Sequence, residues 1–305
     1  MRELLEKKLI LISGKGGVGK TSVALSLGAA LAARGKRALV VFVGGHQMVK
    51  GAFPRETLGY EPTRLGDQLY AMALDHQKAL QEYVLRQIKF EFLYRYVFEN
   101  RVVKYFLDAT PGLKDMIVLG KVISLAEGES KAPFDHILVD LPATGHGLQM
   151  LRIPRTVAAM VKVGPLHVQA LRMEKMLSDR RKTSLCLVTL PEELPVNEVT
   201  DMARILRADL GLSVDHVFVN AVLPEMFSQE DAEAIARIKS TDPMLMAACE
   251  AAQSQMHRRE KQQFEISRLS ETFAQNLFSV PFVFEVPFAP DGILRIRDHL
   301  KGALA

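Results

Sequence analysis

Apolar residues in this chain fall into two kinds of stretch: short unbroken runs, and longer stretches where they recur every three or four positions. The runs lie at about 8–13, 37–43, 136–140, 184–189, 216–220 and 281–286. Each has the length of a strand, and continuous hydrophobicity without alternation suits a strand covered on both faces. Helical stretches separate them, the first over about 19–34 and closed by Gly35 and Lys36. This alternation predicts an α/β fold, a mostly parallel doubly wound sheet with helices on both sides.

Two intervals are longer than a crossover requires, at about 67–132 and 228–277, and are read as helical insertions that add a layer to a single domain over 1–305. In the first, Phe90, Tyr94 and Phe98 share one helix face while Phe92 and Tyr96 lie on another. A two-sided aromatic helix serves either as core or as a groove for an apolar client. In the second, Leu245, Cys249, Ala252 and Met256, then Leu269, Phe273 and Leu277, keep helical spacing, with Pro243 interrupting the pattern. The charged stretch His257-Arg258-Arg259-Glu260-Lys261 between them is most simply a solvated face.

Composition narrows the function classes modestly. With 48% hydrophobic and 24% charged residues, the chain reads as an ordinary globular protein. A net charge of +4, no basic tract and no aromatic–arginine signature give no reason to expect a nucleic-acid partner. The mixed charges of the first eight residues are unlike a secretion signal, and no apolar run approaches the ~18 residues that span a bilayer. Stable membrane insertion is not expected. Cys186 and Cys249 are far apart in sequence, which suits a reducing, cytoplasmic setting.

The chemistry enters after the first run. Gly14-Lys15-Gly16-Gly17-Val18-Gly19-Lys20-Thr21-Ser22 fits G-x-x-x-x-G-K-[ST], the phosphate-binding loop of P-loop NTPases. Gly16, Gly17 and Gly19 let successive backbone N–H groups turn toward a phosphate chain, and the next helix adds its positive end. Lys20 suits the β- and γ-phosphates, and the Thr21 hydroxyl suits Mg²⁺. Asp140 ends a later apolar run, where a carboxylate holds the same Mg²⁺ through its water shell. No Asn-Lys-x-Asp guanine signature is present, so ATP is the expected nucleotide.

The extra lysine of the loop, Lys15, and the element Asp140-Leu141-Pro142-Ala143-Thr144-Gly145-His146-Gly147-Leu148 resemble the arsenite-pump and tail-anchored-protein-targeting ATPases. The resemblance extends over about 8–300. In its details (Pro111-Gly112-Leu113-Lys114-Asp115, Lys162 to His167, Leu190 to Pro195) it is closest to a bacterial branch of paired paralogues. It implies that Lys15 reaches across a dimer to the partner's phosphates and that Gly145 lies in switch II, which senses the γ-phosphate. It implies that Asn220 reads adenine, and that Pro287 and Phe288 belong to an adenine loop. A homodimer, or a heterodimer with a paralogous ATPase, is therefore expected, acting as a switch on a partner or hydrophobic client.

Two departures from that family matter. Its second strand ends in Asp-Pro-Ala, whose aspartate polarises the attacking water. Here Gly44-Gly45-His46-Gln47 stands instead. Either His46 or Gln47 orients the water, or hydrolysis is impaired and this is the ATP-binding subunit of a heterodimer. In addition, Cys249 has Ala252 where a second zinc cysteine would stand, and one thiolate per chain falls short of a four-ligand site, so no zinc is predicted. Metalloid pumping needs clustered thiols and is not expected either. The competing class is a membrane- or DNA-positioning ATPase of the septum-site or partition type, which would use the tail around Arg295, Arg297 and Lys301. An iron–sulfur reductase on the same loop would need interfacial cysteines.

Overall fold

The computed structural model describes residues 1–44, 58–87, 112–129, 133–284 and 290–304. The strands are β1 (Leu9–Gly14), β2 (Ala38–Val43), β3 (Thr63–Arg64), β4 (Leu69–Leu74), β5 (His136–Asp140), β6 (Thr183–Thr189), β7 (His216–Val222) and β8 (Leu277–Pro281). The helices are α1 (Lys20–Ala32), α2 (His76–Gln87), α3 (Leu113–Ala126), α4 (Thr144–Met160), α5 (Pro165–Ser178), α6 (Glu193–Ile205), α7 (Gln229–Arg237), α8 (Pro243–Phe273) and α9 (Pro290–Leu304).

The strands form one eight-stranded sheet in the order β3-β4-β2-β5-β1-β6-β7-β8. Among the described residues, only β3 with β4 is antiparallel. Side chains alternate across the sheet and both faces are dry, so the runs carry no polar stripe. Leu9, Leu11, Leu39, Val41, Ile137, Val139, Leu185, Leu187, Val217 and Val219 enter one core. Ile10, Ile12, Val40, Phe42, Leu138, Cys186, Val188 and Phe218 enter the other.

Helix α1 lies on the second face and is buried almost all round. Its small residues permit a close approach, and α9 covers its outer side, with Ser26 Oγ donating to the Ile293 carbonyl at 3.1 Å. Ile293, Ile296, Leu300 and Leu304 of α9 are buried there, while Leu294 stays exposed. The tail is therefore a sheet-closing helix, with one face packed on α1. On the opposite face, α3, α4, α5, α6 and the C-terminal part of α8 form the second layer.

Chain order decides where a ligand sits. After β1 the chain builds outward through β2 and β4, returns to insert β5 beside β1, then crosses to β6, β7 and β8. Beside β1 the winding reverses, and the carboxyl ends of β1, β5 and β6 open a crevice there.

Two expectations about elements are corrected. The stretch read as helical from about 67 begins with a strand: β4 pairs in parallel with all of β2, from Ala38 against Leu69 to Val43 against Leu74. Its sequence, Leu69-Tyr70-Ala71-Met72-Ala73-Leu74, holds residues that favour helix in isolation, and sheet pairing overrides that preference. Among the described residues the last strand is Leu277–Pro281, ending where the expected run at 281–286 begins; residues 282–284 are not strand, and 285 and 286 lie outside the described residues. Leu277 continues the spacing of Leu269 and Phe273, yet Ala274 takes φ 44° and ends the helix. Pro243 opens α8 at its first turn, where Asp242 accepts from the Met244 N–H at 2.9 Å. The aromatic positions 90–98 lie outside the described residues.

Candidate functional site

The glycine loop leaves the end of β1, the strand flanked by β5 and β6. Gly14 sits so close to β6 that a Cβ there would meet the Val188 carbonyl oxygen at 2.2 Å. At the other end, Gly19 has φ 90° and precedes α1, and a Cβ on it would meet Asn220 Nδ2 at 2.2 Å. Between them, Val18 is buried in the core beneath the loop while Gly16 and Gly17 are exposed at its mouth. Ser22 is buried in the first turn of α1. The loop is thus pinned from below and open above, with its amides and the α1 N-terminus available to an anion.

Pairing of β5 with β1 sets Asp140 beside Ile12, next to the start of that loop. Across the crevice, the Thr21 hydroxyl donates to Asp140 Oδ2 at 2.6 Å. The other carboxylate oxygen, Oδ1, is buried without a hydrogen-bond partner. Burial pushes the Asp140 carboxyl up to about 6, against the opposing pull of the Thr21 hydrogen bond and the Lys20 charge. Burial also lowers the Lys20 pKa, with Asp140 pulling the other way. The Lys20 ammonium donates to the Lys15 carbonyl at 2.8 Å, within the loop. A hydroxyl and a carboxylate with an unmet lone pair suit a hard divalent cation, as Mg²⁺ would require. No cluster of three or more His, Cys, Asp and Glu placed to hold a metal occurs among the described residues.

A third group, Glu198 on α6, was not legible in the sequence. Its carboxylate pairs with Lys15 at 3.0 Å and accepts from the Thr144 hydroxyl at 3.3 Å. It therefore ties the loop to the first turn of α4, the segment that also carries Gly145 and His146. The His146 ring stands 3.0 Å from Asp115 on α3. Nothing about the spacing of residues 15, 144 and 198 foretells their meeting, which depends on β5 and β6 flanking β1.

Asn220 also reaches the loop, donating from Nδ2 to the Val18 carbonyl at 2.9 Å. Lys15, Lys20, Thr21, Asp140, Gly145 and Asn220 thus surround one end of the sheet. His46, Gln47, Pro287 and Phe288 lie outside the described residues. The two cysteines are both buried and free, Cys186 in β6 and Cys249 in α8. Burial pushes the Cys186 thiol up to about 12, so it is held neutral. A separate cavity of about 190 Å³ lies among α2, α3 and α5 and has no P-loop residue in its walls. No helix among the described residues is long and apolar enough to cross a membrane.

Comparison with known proteins agrees with this geometry. The model of the anion-transporting ATPase family matches residues 7–170 and 167–265. ATPase BagA of Mycobacterium tuberculosis is 32% identical over 232 residues, covering 73% of this chain and 68% of the relative. The arsenical pump-driving ATPase of Escherichia coli is 27% identical over 246 residues, covering 74% of this chain but 41% of that protein. That of Acidiphilium multivorum is 28% identical over 246 residues, with the same coverage.

Proposed function

This chain belongs to the anion-transporting ATPase family, and from that premise we propose that it is an ATP-hydrolysing switch whose state is set by the nucleotide in its P-loop. The observation that carries the reading is the meeting of Thr21 and Asp140 at 2.6 Å above a glycine loop, with Asp140 Oδ1 still unsatisfied. Thr21 and Asp140 would hold Mg²⁺, which supplies charge neutralisation between the β- and γ-phosphates. Lys20 adds its charge to the same oxygens, the loop amides orient the chain of phosphates, and Asn220 faces the base.

The working unit is a dimer of this chain, or of this chain with a paralogue, in which Lys15 leaves Glu198 for the partner's phosphates. Support comes from the position of Lys15 at the loop's mouth on a pairing that is more than a third exposed on one side. The client is a hydrophobic protein segment. In its favour, α7 buries no residue, and Met244 of α8 is 83% and Phe264 65% exposed. Hydrolysis draws on His46 or Gln47 to orient water, because Val43 and Gly44 at the end of β2 bring no carboxylate.

A second reading follows from that same gap: a subunit that binds ATP tightly and turns it over only beside a partner. Steady-state hydrolysis by the purified chain with Mg²⁺ separates the two, with Lys20→Ala and Gln47→Ala alongside. Turnover that disappears in Lys20→Ala supports the switch. Tight ATP binding without turnover supports the partner-dependent subunit, and an absence of ATP binding would sink both.

A further inference from the structure

The exit of β7 is irregular. Its pairing with β8 shifts register between Val219 and Val222, so Asn220 and Ala221 have no place in the ladder. Ala221 takes φ 58°, a left-handed conformation that alanine seldom adopts. Regular pairing resumes at Val222, whose carbonyl accepts from the Phe282 N–H at 2.9 Å.

A side chain from a distant helix serves the backbone there. Gln262 of α8 accepts from the Leu223 N–H through Oε1 at 2.9 Å and donates from Nε2 to the Ala221 carbonyl at 3.2 Å. A carboxamide is the one ordinary side-chain group with a donor and an acceptor at this separation, so it replaces a missing pair of strand hydrogen bonds. The residue immediately before this grip is Asn220, whose own carboxamide holds the Val18 carbonyl of the glycine loop. A continuous path of hydrogen bonds and one peptide unit thus runs from α8 through Ala221 and Asn220 to the P-loop.

We propose that Gln262 is a positioning residue of the nucleotide site: by clamping Ala221 and Leu223 it holds Asn220 against the P-loop and toward the base. This rests on the reading of the site as an ATP site. It also places α8 in mechanical contact with that site. C-terminal to Gln262 the helix is anchored by buried Leu269 and Phe273, and Arg268 donates to Asn197 of α6 at 2.8 Å. N-terminal to it, the only buried residue of α8 is Cys249. Gln262 stands where the helix leaves the sheet, so displacement of the outlying portion is felt at Asn220.

The test is a double-mutant cycle on the full chain, read as ATP affinity with Mg²⁺ by titration calorimetry, with melting temperature measured in parallel. Gln262→Met keeps length and packing but neither hydrogen bond, and should weaken ATP about tenfold, as should Asn220→Ala. The double variant should bind no more weakly than either single one, because both remove the same orientation. Gln262→Glu keeps the acceptor for Leu223 but sets a carboxylate oxygen against the Ala221 carbonyl, and should weaken ATP at least as much as Gln262→Met. Unchanged ATP affinity in Gln262→Met, with or without a lower melting temperature, would overturn the proposal. So would a double variant about a hundredfold weaker, the product of independent effects. Failure of the unaltered chain to bind ATP would instead overturn the reading of the site.

Discussion

Asp140→Asn should make the nucleotide- and metal-free protein more stable at alkaline pH while destroying its Mg²⁺-dependent ATP binding. The carboxyl is buried and its pKa is pushed from 3.8 up to about 6. Between those two values the folded protein binds more protons at this group than the unfolded chain does. Stability contributed by Asp140 therefore falls as pH rises through that window and levels off above it. The full cost of the ionised carboxylate is about 3 kcal/mol, from ~2.2 pK units at ~1.4 kcal/mol each. Asparagine removes it and keeps an oxygen for the Thr21 hydroxyl, but puts an N–H₂ where Oδ1 has no partner, and this buried unsatisfied donor returns about 1–2 kcal/mol. The net gain is about 1–2 kcal/mol at pH 8, or roughly 2–3 °C in melting temperature for a chain of this size. The pH dependence is the cleaner quantity because the asparagine's own cost cancels from it. Between pH 8 and pH 5 the advantage of the variant should shrink by about 1.4 kcal/mol. Thermal melts in EDTA at several pH values, for both proteins, give this difference directly. A variant less stable than the unaltered chain at pH 8, or an advantage independent of pH, would refute the electrostatic account of the site.

Three further outcomes follow from individual contacts. Burial, with the N-terminal charge assisting, pushes the His216 imidazole down to about 4, and both of its ring nitrogens lack partners. Unfolding then takes up a proton between pH 6.5 and 4, so His216→Phe, which can keep the edge-on contact with Phe278, should remove about 2–3 kcal/mol of acid lability in melts at pH 4.5 against pH 7. An unchanged acid slope would contradict this. Gly14→Ala should cost about 3 kcal/mol, because the neighbouring atom is a strand carbonyl that cannot move aside, whereas Gly16→Ala, with open space around it, should change stability by less than about 0.5 kcal/mol in urea titrations. Equal effects would mean the loop is not pinned to β6. Glu198→Gln should release Lys15 and strengthen ATP-dependent self-association by up to about fivefold, the most a partly exposed pair of up to ~1 kcal/mol can supply. Weaker association in analytical ultracentrifugation would show that Glu198 supports the assembled state instead.

Much of this protein was legible in the residues alone, for local reasons. The runs ending in Ser13, Val43, Asp140 and Thr189 read as buried strands because a doubly covered strand needs continuous hydrophobicity, and no other arrangement hides it so cheaply. The glycine loop, Lys20, Thr21 and the terminal Asp140 read as one phosphate and Mg²⁺ site because that chemistry demands residue types at short, set spacings. β4 was hidden, since its Leu, Ala and Met residues carry no strand preference of their own and become a strand only by pairing with β2. β8 was misplaced because Leu277 fits the helical period of α8, and a single left-handed residue, Ala274, ends that helix first. Glu198 and Gln262 could not be read at all. Each acts through partners far away in sequence: Lys15 and Thr144 for the first, Ala221 and Leu223 for the second. Sequence determined which groups bind phosphate and metal, because those groups are contiguous or sit at strand ends. Only the tertiary structure decided what holds those groups in place, because the order of strands around β1 and the bulge at the end of β7 are properties of the assembled sheet, written in no single stretch of chain.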